Sequence, residues 1–509
     1  MDKKHRKFRR FLSVVFGILG IALVVLSFTA LYSAKWYASV YGQMGFDSIL
    51  YTLTAGVKGT DPELIHSYMS AVLPSTLGWS ILICFLLFFR AKKKLVLTLF
   101  RKLRIRLFPL SWFVCAIITV AMCSGLLFSA AKISELDKYI INLRTQSTIY
   151  EDEYRDPKTT AITFPEQKRN LIYIYLESME TSYLSKEQGG MLDYNVIPEL
   201  YALAQENTNF SHNEDVGGFN ASPGASWTIG AMVGQTAGIP LKTPPGIGGN
   251  EYGSEGDFLP GVTCLMDILD ENGYFQALMV GSDASFGGRR QYYTSHGVDR
   301  IYDLYTARED GVIAPDYHVW WGFEDHYLFS YAQQALTEIS QQAQPFAFTM
   351  LTVDTHHIGG YVCKYCGNTH EEQYENVYEC SSKQVAAFVQ WLQAQPFYEN
   401  TAVIIAGDHP SMDNGYFSRV SPEGYKRHVY NCFINSAVTT ENTKNRGFNT
   451  YDMLPTTLAA MGCAIDGDRL GFGTNLFSAM PTLLEATNGA ITAELEKNSS
   501  YYMKNFFFK

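Results

Sequence analysis

The sequence predicts an α/β protein: membrane-spanning N-terminal helices, then a domain with a mainly parallel sheet covered by helices. Three observations carry that prediction. Long apolar runs bordered by basic clusters fill the first 131 residues. Strand-like runs then alternate with helical patterns, which is how a parallel sheet buried on both faces reads in sequence. Three of the strand-like runs also stop abruptly at acid, hydroxyl or imidazole side chains, where open α/β sheets hold their ligands.

Taken in order, Phe11–Ala34 and Leu107–Ala131 are free of charged side chains, and Met69–Phe89 is broken only by Pro74. Each meets the roughly 20 residues a membrane helix needs. Lys3, Lys4, Arg6, Lys7, Arg9 and Arg10 precede the first run. Arg90, Lys92–Lys94, Arg101, Lys102, Arg104 and Arg106 fill the loop between the second and third, whereas Lys35–Tyr68 has few basic residues. By the positive-inside rule the amino terminus and the Arg90–Arg106 loop face the cytoplasm, and everything after Ala131 lies outside. The first run is too long for a signal peptide and is followed by two more, so it reads as an anchor. The expected division is a membrane domain over 1–131, a juxtamembrane helix and linker over 132–167, and an extracytoplasmic catalytic domain over 168–509. A formal charge of −10 argues against nucleic acid as a partner.

Beyond the linker, Asn170–Leu176, Phe275–Val280, Phe346–Val353, Thr401–Ala406 and Val429–Ile434 read as strands. Ile197–Gln205, Thr263–Asn272, Glu324–Gln342, Ser382–Ala394 and Met453–Met461 read as helices. The Gly- and Pro-rich tract Thr236–Gly256 is a long loop, read as a lid or a substrate-binding edge. Six cysteines fall outside the membrane, where disulfides are permitted. Cys363-Lys-Tyr-Cys366 followed by His370 and Cys380 looks superficially like a zinc knuckle, but a disulfide to Cys380 is expected in its place. That would leave one of the three unpaired or with a distant partner.

The chemistry concentrates at the strand ends. Leu176 is followed by Glu177-Ser178, Val353 by Asp354-Thr355-His356-His357, and Ala406 by Gly407-Asp408-His409. A carboxylate beside a neutral imidazole suits a hard or borderline divalent cation. The small-residue run Asn220–Met232 leads through Trp227-Thr228 into a helical pattern, and a helix amino terminus favours an arriving phosphate. A plain N-cap role for Thr228 or Ser226 is the competing reading.

NLIYIYLES, WTIGAM with GIPL after it, TVDTHHIGG and IIAGDHPSMDN together resemble the phosphoglycerol transferases of the alkaline phosphatase–sulfatase superfamily. The likeness is greatest to those that decorate osmoregulated periplasmic glucans, with lipoteichoic acid synthase more distant. The motifs run in order across Asn170–Asn414. The resemblance implies an alkaline phosphatase/sulfatase-like catalytic domain with Thr228 as nucleophile. It implies one divalent cation, manganese first with magnesium or zinc as alternatives, on Glu177, Thr228, Asp408 and His409. Few further His or Asp residues have metal-like spacing, which favours one cation over two; His428 is an additional ligand or substrate contact in the widest reading. His356 or His357 is expected to bind the phosphate or protonate the leaving oxygen. Trp227, Arg289 and Arg290 are expected at the substrate, the arginines as a planar fork on the glycerophosphate. Gly287-Gly288 stand where lipoteichoic acid synthase carries a Trp before the Arg. Asp354 and Asp283 read as caps or turn residues.

The implied reaction takes phosphoglycerol from phosphatidylglycerol at the membrane to a glycan or a teichoic-type polymer. Phosphoethanolamine transfer and phosphodiester hydrolysis are the alternatives within the superfamily, and a non-catalytic lipid-binding or regulatory protein is the alternative outside it. Sulfatase activity is disfavoured, because no Cys-x-Pro-x-Arg stretch is present.

Overall fold

The computed structural model describes residues 3–42, 45–55, 62–88, 95–99, 103–108, 112–243 and 256–507. These form two compact units, one of Met1–Phe46 with Asp61–Tyr139, the other of Asp47–Thr60 with Ile140–Lys509.

In the smaller unit, helices α1 (Lys3–Tyr41), α3 (Pro62–Phe88) and α4 (Trp112–Ile133) each hold a segment long and apolar enough to cross a membrane. Ser27 Oγ donates to Leu23 O at 2.7 Å, and Thr29 Oγ1 and Ser129 Oγ donate to Val25 O and Gly125 O at 2.9 Å, so these hydroxyls are satisfied within their own helices. Val24, Phe28 and Cys123 pack between the helices, while Phe11, Phe16, Ile81, Phe113 and Phe128 stay exposed to the surroundings. The basic stretch after α3, expected as a loop, contains an antiparallel hairpin, β1 (Leu95–Leu99) with β2 (Leu103–Phe108). Arg90–Lys94, Arg101 and Lys102 lie outside the described residues, as do positions 244–255 of the Thr236–Gly256 tract.

The larger unit is built on a seven-stranded sheet. Its strands are β3 (Asn170–Leu176), β4 (Gly218–Phe219), β5 (Phe275–Val280), β6 (Arg300–Tyr302), β7 (Phe346–Leu351), β8 (Thr401–Gly407) and β9 (Val429–Ile434). The order across the sheet is β4-β9-β8-β3-β7-β5-β6. From β8 to β6 all neighbours run parallel, and β9 is antiparallel to both β8 and β4. Every residue of β3 and β8 is buried, which is why these central strands read as continuous apolar runs without alternation. Helices cover the sheet, among them α5 (Pro198–Glu206), α6 (Thr228–Ala237), α7 (Asp325–Ile339), α8 (Gln373–Gln393) and α9 (Met453–Ala460). Helix α8 begins nine residues before the expected Ser382. Its first turns bury Glu375 and Asn376, whose polarity hides the apolar rhythm; the Tyr416 hydroxyl donates to Glu375 at 2.8 Å and Asn376 accepts from the backbone of Thr369 and His370.

Residues 140–167 pack within the larger unit. Tyr150 is buried among Phe472, Tyr502 and Phe506, Arg469 pairs with Glu153 at 2.9 Å, and Ile162–Thr163 adds a short antiparallel pairing to Ala464–Ile465. The expected disulfide to Cys380 is not formed. All nine cysteines are free, and Cys363, Cys366 and Cys380 instead bring their sulfurs together.

Candidate active site

Strand register assembles the site. Leu176 of β3 pairs with Gly407 of β8, so the next residues, Glu177 and Asp408, leave the sheet side by side. Leu351 of β7 pairs with Tyr175, which brings the segment from Thr352 to His357 to the same edge. The Thr352 hydroxyl accepts from the Glu177 amide at 2.9 Å and locks the two turns together. Gly407 permits this closeness, since a Cβ there would lie 2.0 Å from the Met179 carbonyl oxygen.

Asp408 is fully buried and used unevenly. Its Oδ1 accepts from the Ser178 and His409 amides at 2.7 and 2.8 Å, while Oδ2 has no hydrogen-bond partner. His409 donates from Nδ1 to the Pro410 carbonyl at 2.9 Å, which leaves Nε2 as the acceptor nitrogen. That nitrogen lies 3.2 Å from Asp408 Oδ2 and 3.8 Å from Glu177 Oε1. Ser178 Oγ donates to Glu177 Oε1 at 2.6 Å. Thr228 completes the group, with Oγ1 3.4 Å from both Glu177 Oε2 and His409 Nε2.

Thr228 is the first residue of α6. The residue in the cap position is Trp227, and it makes no side-chain cap bond. The N-cap reading of Thr228 therefore does not describe its place: its hydroxyl faces Glu177 and His409. Trp227 folds over Gly230, where a Cβ would come within 2.9 Å of the indole, and meets Tyr51 of α2 (Phe46–Ala55) in a tilted ring contact at 5.6 Å.

Burial pushes the Glu177 carboxyl up, but the His356 and His409 imidazoles and the Ser178 hydroxyl outweigh it and hold it below the usual range. Burial and the neighbouring Glu177 charge drive Asp408 well above its usual range. Two close buried carboxylates, one with a bare oxygen, beside an imidazole lone pair and a hydroxyl, are the donor set of a divalent cation. Glu177, Asp408 and His409 each offer a ligand atom within 4.8 Å of the others, so the residues fit such an ion.

A cavity opens beside this group, lined by Glu177, Thr228, Phe286, Arg289, Trp321 and His356 among others. The structure separates the paired candidates. His356 lines the cavity, 4.6 Å from the Trp321 ring, with Nδ1 bonded to the His357 carbonyl at 2.7 Å; His357 is buried behind it. Burial lowers the pKa of both imidazoles, with Glu177 acting against this at His356. Arg289 is buried and donates to Phe286 O, Ser282 Oγ and Asp283 O at 2.9–3.1 Å. Arg290 turns away into an ion pair with Asp303. Gly287 and Gly288 have φ of 63° and 79°, a left-handed pair that makes this divergence possible. The Tyr51 hydroxyl donates to the Gly287 carbonyl at 2.6 Å.

Asp354 is tied to Asp325, whose amide it accepts at 3.2 Å, and Asp283 closes a turn onto the Ser285 amide at 2.8 Å. His428 stacks on His212 at 3.5 Å and is not in the ligand group. Tyr51, Phe286 and Trp321 were not singled out from the sequence. The Trp320-Trp321 doublet ahead of α7 was the available signal, while Tyr51 lies too far away in the chain to give one.

The sequence profile of the Sulfatase family matches residues 169–463, more than half the chain and all four members of the buried group. The chain belongs to the sulfatase family. Phosphoglycerol transferase I of Escherichia fergusonii is 34% identical over 268 residues, 51% of this chain and 33% of that protein. The protein of the same name from Shigella boydii serotype 18 matches to the same extent. The matched part thus spans about a third of the length of these curated relatives. Among solved structures, the integral membrane protein lipooligosaccharide phosphoethanolamine transferase A of Neisseria meningitidis shares this family member's fold. Its TM-score is 0.50 at 11% identity, covering 88% of this chain and 86% of that one.

Proposed function

We propose that this protein is a membrane-anchored, metal-dependent transferase that moves phosphoglycerol from phosphatidylglycerol to an exported glycan or polymer. The observation that carries the reading is the approach of Thr228 Oγ1 to Glu177 and His409 at the mouth of a cavity that also holds Arg289 and His356. The name shared by the 34%-identical relatives supports the phosphoglycerol group.

A divalent cation on Glu177, Asp408 and His409, manganese in the first instance and magnesium or zinc otherwise, lowers the pKa of a coordinated hydroxyl and draws charge from phosphoryl oxygens. Thr228 Oγ1 attacks phosphorus, the bond to the diacylglycerol oxygen breaks, and phosphoglycerol is left on Thr228. The free N–H groups of the first turn of α6 face the phosphoryl oxygens, and Arg289 holds the glycerophosphate by charge-assisted bonds. His356, with Nδ1 committed to a carbonyl, has Nε2 for proton transfer. Nε2 takes the Thr228 hydroxyl proton as Oγ1 attacks and delivers it to the departing diacylglycerol oxygen; it then takes the acceptor hydroxyl proton and returns it to Thr228 Oγ1 as that residue is displaced.

The test is to incubate the full chain with manganese and head-group-labelled phosphatidylglycerol, without acceptor. A phosphoglycerol mass on the Thr228 peptide with release of diacylglycerol is expected, and Thr228→Ala loses both, slowing turnover by about three orders of magnitude or more. Metal bound with neither adduct nor diacylglycerol would overturn the head group and point to phosphoethanolamine.

A further inference from the structure

A second cluster of ligand-type side chains lies away from the cavity. Cys363 and Cys366 sit on the segment that continues from His356 and His357, and Cys380 is on α8. The Cys363 sulfur is 3.7 Å from that of Cys366 and 3.7 Å from that of Cys380, and all three lie within 4.8 Å of one another. A tetrahedral zinc with bonds of about 2.3 Å sets its sulfurs about 3.8 Å apart. A disulfide would join two of the three and leave one over, whereas a metal uses all of them.

The surroundings suit thiolates. Gln384 Nε2, one turn along α8, points at the Cys380 sulfur at 3.4 Å, and the Tyr365 and Cys366 amides face the Cys363 sulfur. Both ring nitrogens of His326, in the first turn of α7, are buried without a hydrogen-bond partner, and the Cys363 sulfur acts electrostatically on that ring. His326 is outside the mutually close group, so reaching the metal takes a turn of its side chain. By contrast, the Cys264, Asp267 and His296 group is already spent on internal bonds, His296 donating from Nδ1 to Asp267 Oδ2 (2.8 Å) and from Nε2 to Phe258 O (2.9 Å).

We propose that Cys363, Cys366 and Cys380 hold a structural zinc ion, with His326 as the fourth ligand. The ion fastens the segment behind His356 to α7 and α8, so it positions that histidine without touching substrate. Ligand softness separates it from the cavity site: three thiolates select zinc, while two carboxylates and one imidazole accept harder cations.

The experiment measures zinc by mass spectrometry on the full chain purified in detergent without chelator, in the Asp408→Asn background to empty the cavity site. Cysteine alkylation is followed with and without a zinc chelator. About one zinc per chain is expected, with Cys363, Cys366 and Cys380 protected until the chelator is added. Cys366→Ser should lose that zinc, and His326→Ala should retain it with at least about 10-fold weaker affinity. Because Cys366→Ser can fail to fold, X-ray absorption at the zinc edge on the Asp408→Asn protein supplies a second readout, with a shell of three sulfurs at about 2.3 Å expected. A disulfide among the three cysteines in a non-reducing peptide map, or a zinc shell without sulfur, would overturn the proposal. Unchanged affinity in His326→Ala would remove His326 from the ligand set.

Discussion

Asp408 shows how the bonding of a single carboxylate can mark a place for a cation. Its Oδ1 is satisfied twice by backbone amides and its Oδ2 not at all, while Glu177 presses on it from the next strand. Asp408→Asn keeps the shape and removes the repulsion, so the two states should respond in opposite senses. Without metal, the variant is expected to melt higher than the wild type at neutral pH. With saturating manganese the order reverses, because only the wild type gains binding energy from the ion. Paired melting curves with and without chelator check this; the same order in both would mean that Asp408 is no ligand. The arginines divide likewise. Arg289→Lys keeps the charge and loses the fork, and should raise KM by about 10- to 100-fold, the worth of one charge-assisted bond. Arg290→Ala removes a half-exposed guanidinium from a buried Asp303 that the Ala284, Tyr305 and Thr306 amides also hold, and should leave KM within about twofold. The types of these residues were legible in the sequence, because strands that end in acid and imidazole are conspicuous. Which member of each pair faces the cavity was not. That depends on the left-handed Gly287-Gly288 turn and on the Nδ1 bond of His356, and neither has a periodicity to read.

At the scale of elements, strand identity came through and boundaries suffered where burial and polarity disagree. Strands β3 and β8 are apolar throughout because both faces are covered. The start of α8 does not show in the sequence because its buried Glu375 and Asn376 are satisfied by partners outside the helix. The hairpin of β1 and β2 was missed for another reason: Leu103, Ile105 and Leu107 alternate with Arg104 and Arg106, a strand pattern overshadowed by its charge. What strand pairing contributes to function is register. The Leu176–Gly407 pair sets Glu177 against Asp408, and Gly407 lets the Met179 carbonyl pass close above it. Gly407→Ala forces that carbonyl or β8 aside, at a cost of about 1–3 kcal/mol. Because the shift falls one residue before Asp408, manganese affinity should drop together with the melting temperature. Ala406→Gly, on the same strand, loses buried methyl contacts and should lower stability while leaving metal affinity nearly intact. Calorimetric titration of both variants decides whether the turn acts on the metal or only on the fold.

For the molecule as a whole, the argument turns on where the donor resides. Three helices long and apolar enough to span a bilayer belong to the same chain as the buried Glu177, Asp408 and His409 group, and the proposed donor is itself a bilayer lipid. An enzyme held in the membrane encounters its donor at the surface density of that lipid, which acts as an effective concentration. Full chain reconstituted in vesicles should therefore turn over at a rate set by the mole fraction of phosphatidylglycerol. Diluting that lipid with phosphatidylcholine at constant bulk amount should slow the reaction in proportion once the fraction falls below saturation. Adding more vesicles of unchanged composition should leave the rate per enzyme the same. Residues 140–509 on their own, lacking all three helices, should show the opposite dependence and follow bulk vesicle concentration, since each encounter with a surface is then a separate binding event. A full-length protein that followed bulk concentration would mean that the helices do not keep the site supplied from its own bilayer, and that the donor reaches Thr228 from solution.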